Sequence, residues 1–61
     1  MPNAMECRTF AKEYKDRAQE PGVSKDSAFI MYNIARSFMG LATQLDMLAA
    51  KMRDEANKGP G

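Results

Sequence analysis

Histidine and tryptophan are absent from this 61-residue chain, and cysteine occurs once. A single thiol cannot close an intrachain disulfide, and without histidine a zinc or haem site lacks its commonest ligand. No metal and no cofactor is therefore expected. Cys7 has no imidazole to take its proton, so it reads as a small apolar core residue rather than a nucleophile, and no enzyme is expected. No glycine-rich phosphate loop or nucleotide motif occurs either. An excess of either charge is also missing. Nine basic and eight acidic residues give a net +1, and the two candidate helices, counted with Glu20, each sum to zero with Lys58 left over. Nothing in that order of residues forms the basic stripe that phosphate backbones require, so no nucleic acid partner is expected.

The amino end, MPNAMECRTF, lacks a basic segment followed by an apolar run. A secretory signal is thus not expected, and the expected location is cytoplasmic. Residues 27–50 approach membrane-spanning length, yet Asn33, Arg36, Ser37, Thr43, Gln44 and Asp46 are spread along them. A membrane span is not expected there, because polar groups in mid-span are costly in lipid.

What is present is helical signal. Asn3 followed by Glu6 has the capping-box spacing: a short oxygen acceptor for orphan amides, then a carboxylate three positions on. A first helix is predicted over about 4–19, ending where Pro21 pushes Glu20 out of the helical region and Gly22 supplies a positive φ. The turn covers 20–24. Ser24 offers a second N-cap with Asp26 in the following turn, and the pattern stays helical over about 25–57, leaving a frayed tail at 58–61.

Periodicity carries the packing. Alanine recurs every seventh residue at 28, 35, 42, 49 and 56, beside a column of Met31, Phe38, Leu45 and Met52 and another of Ile34, Leu41 and Leu48. In heptad terms these are columns e, a and d. The first helix repeats the design with Ala4, Ala11 and Ala18 in e, Cys7 and Tyr14 in a, Phe10 in d, and Glu6, Glu13 and Glu20 in g. Where the side chain ends at Cβ, helix axes can come closer than the usual ~8–10 Å. The alanine columns therefore predict the contact inside the hairpin, with Cys7, Phe10, Ala11, Tyr14 and Ala18 packing against Ala28, Ala35 and Ala42. The five-residue corner makes the helices antiparallel. The glutamate row reads as solvated, served by Arg8, Lys12 and Arg17, with Glu13 and Arg17 at the favourable spacing.

The helices are unequal, and the short one runs out. Folding back at 20–24 sets Ala18 near Ser27 and Ala4 near Leu41, so Leu45, Leu48, Ala49 and Met52 gain no cover from their own chain. A chain this short sits near the lower limit for a self-sufficient core, and with no disulfide or metal the remaining staple is oligomerisation. The expected fold is all-α: an antiparallel two-helix hairpin that assembles with itself as a homodimeric four-helix bundle. The expected interface is Met31, Ile34, Phe38, Leu41, Leu45, Leu48, Ala49 and Met52. Phe29, Ile30, Tyr32, Met39 and Met47 lie outside that stripe. They are either scattered surface apolar groups or a second contact face for another protein. Asn33 and Gln44 would specify register if buried, Arg36 reads as a solvated charge, and Gly40 in mid-helix costs about 1 kcal/mol relative to alanine.

"ECRTFAKEYKDRA" and "NIARSFMGLATQLDMLA" also carry a resemblance. The chain is similar to short helical-hairpin proteins common in alphaproteobacteria, especially rhizobial relatives, which read Glu-Cys-Arg, Ala and Glu-Tyr, then Asn-Ile-Ser-Arg-Ser-Trp and Leu-Ala-x-Gln-Leu. The matching positions are Glu6, Cys7, Arg8, Ala11, Glu13 and Tyr14, then Asn33, Ile34, Arg36, Ser37, Leu41, Ala42, Gln44 and Leu45. Roughly residues 5–55 are covered. The chain departs at Ala35, where serine is frequent, and at Phe38, where tryptophan is usual. The resemblance implies no known activity and points to a structural or regulatory accessory by analogy. The expected function is thus a non-enzymatic self-association module. The alternatives are an accessory subunit that folds against a larger protein, or a peripheral membrane protein, although the latter lacks a Lys/Arg-rich polar face.

Overall fold

The computed structural model describes residues 3–58. It consists of two helices, α1 (Ala4–Ala18) and α2 (Lys25–Lys58), packed against each other. At 1.5 Å per residue the 15 residues of α1 make a rod of about 22 Å and the 34 of α2 one of about 51 Å. Lys58, expected in the tail, belongs to α2, and the rest of the expected tail, 59–61, lies outside the described residues.

Each boundary has a local cause. At the start of α1 the Asn3 side chain accepts from the Glu6 N–H at 2.8 Å, while the Glu6 carboxylate accepts from the Asn3 N–H at 3.2 Å. Both halves of the capping box are formed, an arrangement whose loss costs about 1 kcal/mol. Gln19 caps the other end of α1. The chain then turns through Glu20, Pro21, Gly22 and Val23, with the Val23 N–H donating to the Glu20 carbonyl at 3.3 Å and Gly22 at φ +88°. That is a type II turn, with proline second and glycine at the position that demands positive φ. Ser24 opens α2: its Oγ accepts from the Ser27 N–H at 3.1 Å, and its carbonyl accepts from the Ala28 N–H at 2.9 Å.

The core is thin and built almost wholly from the smallest side chains. Cys7, Ala11, Ala18, Ala35 and Ala42 are the buried apolar residues, and Cys7 and Ala42 are 0% exposed. Beside this strip the Phe38 ring meets Phe10 at 5.3 Å and Tyr14 at 6.1 Å between centroids. These aromatic pairs fix how far α1 reaches. Phe10 against Phe38 in an antiparallel hairpin brings Ala4 alongside Gln44 and Leu45, about one turn beyond the Leu41 expected from the turn alone. Leu45, expected bare, is accordingly half-buried.

Past that point α2 continues alone for about 20 Å. Leu48 is 54% and Met52 60% exposed, and Ala49 is exposed as well. The molecule measures 60 × 15 × 14 Å, and its radius of gyration of 16.2 Å compares with about 10 Å for a compact domain of this length. Among the described residues no helix is long and apolar enough to cross a membrane.

Candidate functional site: two faces of the hairpin

The alanine contact orients every other column. With the e columns of both helices turned inward, an antiparallel pair places the a and d columns of α1 and α2 on one common side. The b and f columns lie together on the other side. The side chains sort accordingly, and the two sides differ in chemistry.

On the a/d side, Ile30, Asn33, Ile34, Ser37, Phe38 and Leu41 line a groove of about 380 Å³ with no charged residue in its wall. Ile34, Ser37, Phe38 and Leu41 follow the i, i+3, i+4, i+7 spacing. This is the four-residue hole that receives a knob from a facing helix in coiled-coil packing. The residues of the sequence-predicted interface, apart from Ala49 in the e column, fall on this side, and they divide into two groups. Met31, Ile34, Phe38, Leu41 and Leu45 are half-buried, whereas Leu48, Ala49 and Met52 are open. Asn33 and Gln44, candidates for setting register, are both exposed in the hairpin.

The residues predicted to pack inside the hairpin divide as well. Cys7, Ala11, Ala18, Ala35 and Ala42 are buried, Tyr14 and Ala28 are half-buried, and Phe10 lies at the edge with one face on Phe38. Cys7 is a free thiol sealed between the helices, so no reagent-accessible nucleophile exists at that position. Among the described residues no cluster of three acidic or thiol side chains is arranged to hold a metal ion.

The b/f side carries charge that sequence reasoning did not find. Arg8, Lys12 and Lys15 of α1 and Arg36 of α2 stand around a groove of about 530 Å³, whose floor and walls also include Ala11, Ala35, Tyr32 and Met39. Charges summed along each helix cancel, but the cations are gathered on one side of the pair. The signal was available in the spacing of Arg8, Lys12 and Lys15, which share one face of a helix. Two of the four are partly neutralised: Arg8 pairs with Asp46 across the hairpin, and Lys12 pairs with Asp16 at 3.2 Å. All four partners are exposed to solvent, so each pair contributes about 0–1 kcal/mol.

Those pairings correct the sequence reading of the glutamate row. Among the described residues Arg8 is drawn to α2 rather than to a glutamate of its own helix. Arg17 lies over the Tyr14 ring, 5.4 Å from its centre, instead of pairing with Glu13. A planar cation on an aromatic face competes well with an exposed i, i+4 ion pair.

Of the residues outside the apolar stripe, Phe29, Ile30, Tyr32, Met39 and Met47 are all exposed, and Tyr32 and Met39 belong to the cationic groove. Gly40 is exposed too, and a Cβ built there has no neighbour within 4 Å, so close packing inside the hairpin does not account for it. No protein-family model, curated protein or solved structure matches the chain.

Proposed function

We propose that the chain is a non-enzymatic protein–protein interaction module whose first partner is a second copy of itself, two hairpins joining through their a/d sides as a four-helix bundle. The observation that carries this reading is the bare distal end of α2, where Leu48 and Met52 are more than half exposed. Fully burying a large apolar side chain contributes roughly 1.5–3 kcal/mol, which is large beside the few kcal/mol that a core this small can supply.

The total surface supports it. A folded monomer of 6.8 kDa exposes about 4,000 Å², but the hairpin exposes 5000 Å². The excess of about 1,000 Å² is close to the ~800 Å² that each partner contributes to a standard protein interface. The uncharged groove at Ile34, Ser37, Phe38 and Leu41 offers that partner a hole of the required shape. A cytoplasmic accessory role, in line with the resemblance to the short alphaproteobacterial hairpins, belongs to the same proposal.

A second reading has its own observation. Tyr32 and Met39 are exposed within a cationic groove on the opposite side, a surface that self-association through the a/d side leaves free for a different protein.

Thermal unfolding followed by circular dichroism separates self-association from a self-sufficient hairpin. For a dimer that unfolds as it dissociates, the midpoint rises with concentration, by roughly 10 °C over a hundredfold range. A midpoint independent of concentration would overturn the proposal.

A further inference from the structure

Resting on the self-association just proposed, we infer the register of the pair: α2 of each copy lies antiparallel to α2 of the other, with Phe38 facing Leu41 of the second copy and the two-fold axis passing between Met39 and Gly40. Antiparallel helices place an a residue of one opposite a d residue of the other, which permits a small set of registers one heptad apart. The sequence and the uncovered surface select among them.

In the register centred between Met39 and Gly40, Phe38 faces Leu41, Met31 faces Leu48 and Leu45 faces Ile34. Six of the seven large members of the two columns meet another large apolar residue, and Met52 comes to lie against Ser27 of the second copy. Leu41 of the second copy enters the hole formed by Ile34, Ser37, Phe38 and Leu41, and by symmetry the exchange is reciprocal. Leu45 and Leu48, at or beyond the reach of α1, fall against Ile34 and Met31 of the partner's turn-proximal half. Each copy thereby covers Leu45 and Leu48 of the other.

The ends of the stripe agree. Glu55 continues the d column and comes to rest at Ser24 of the second copy, where the first-turn amides and the positive end of the α2 dipole favour a carboxylate. Lys51 in the g column lies within one turn of Asp26 of the second copy, on the same flank of the pair. The carboxylate and the lysine therefore meet complementary partners without entering the apolar layers.

The neighbouring registers do worse by the same tests. Sliding one heptad toward the turn sets Leu48 against Ser24 and Leu45 against Ser27, and carries Met52 past the end of the partner's helix to Glu20. Sliding the other way gives Met52 an apolar partner in Ile34, but it drives Glu55 into the stripe against Met31, an unpaired charge among apolar groups, and this decides against it. Neither lets Lys51 meet Asp26.

Single-cysteine chemistry reads the register directly. Ser37 and Gln44 are exposed, lie in the g column beside the seam, and are too far apart on one helix to join each other. In a Cys7→Ala background, the double variant S37C/Q44C should form a disulfide-linked dimer under mild oxidation in at least several-fold higher yield than either single variant. Efficient crosslinking by S37C alone would place the pair one heptad toward the turn, and by Q44C alone one heptad the other way. Either result overturns the inferred register while leaving self-association intact. Absence of crosslinking in all three, for a species that sediments as a monomer, would remove self-association itself. A charge exchange supplies a second readout: Lys51→Asp should weaken dimerisation several-fold and the added Asp26→Lys should restore it. Loss without restoration would contradict the contact.

Discussion

Replacing Leu48 by aspartate is expected to abolish self-association, raising the dissociation constant by at least about 100-fold, or roughly 3 kcal/mol. The hairpin alone supplies no reason for such an effect. Leu48 is 54% exposed there, beyond the reach of α1, and a surface substitution of that kind ordinarily changes stability by less than about 0.5 kcal/mol. The effect arises only if a second molecule desolvates the site, because a carboxylate taken out of water without a partner is strongly unfavourable. A control lies on the other side of the same helix. Met39 is 47% exposed and belongs to the b column, on the cationic side that the seam leaves free. Met39→Asp should leave the assembly essentially unchanged. Sedimentation velocity of the two variants at equal concentration reads the contrast, and equal behaviour would remove Leu48 from the interface.

The second large effect belongs inside the hairpin. Ala42→Leu should cost about 2–3 kcal/mol or more and strip the chain of much of its helical circular dichroism signal at ambient temperature. Ala42 is 0% exposed and shares the sealed strip with Cys7, also at 0%, so three added carbons have no space unless the helices separate. Separation breaks the contact of Phe38 with Phe10 and Tyr14 as well. Ala56 occupies the same column two heptads further on and is exposed, past the end of α1 and outside the expected interface. Ala56→Leu, which adds the same carbons where no short helix lies across them, should leave helicity close to that of the unaltered chain. Similar losses in both variants would mean that the alanine column matters for helix propensity rather than for close approach.

Much of this architecture is legible in the order of residues, because the forces that set it are local or periodic. The capping box needs only Asn3 and Glu6, and the corner needs only Pro21 and Gly22. The alanine column announces a close contact because nothing else calls for so small a group every seventh residue. What escaped was directional. The turn sets where the two helices begin to run alongside each other, but the register along them is adjusted by the Phe10, Tyr14 and Phe38 rings, whose stacking has no sequence signature. That is why α1 shelters Leu45 as well as Leu41. The cationic groove escaped for a related reason: counting charge along a helix discards the face on which each charge stands, and Arg8, Lys12, Lys15 and Arg36 share one. Arg17 shows the same limit, since the Tyr14 ring beneath it competes with the carboxylate of Glu13 that spacing alone favours.

The hairpin is therefore two-sided in chemistry as well as in shape. Its a/d side carries Leu48 and Met52 exposed beyond its own short arm, and its cationic side keeps Tyr32 and Met39 in contact with solvent. This division of surfaces is what supports the proposed reading of the chain as a module that joins proteins.

Sedimentation equilibrium of the unaltered chain at micromolar concentration, with Cys7 kept reduced, decides whether a second molecule covers the far end of α2. A mass twice the 6.8 kDa of the chain is expected. A folded, helical species holding at 6.8 kDa across that range would show that Leu48 and Met52 stand in water without a second copy, and the self-association proposed for this protein would be wrong.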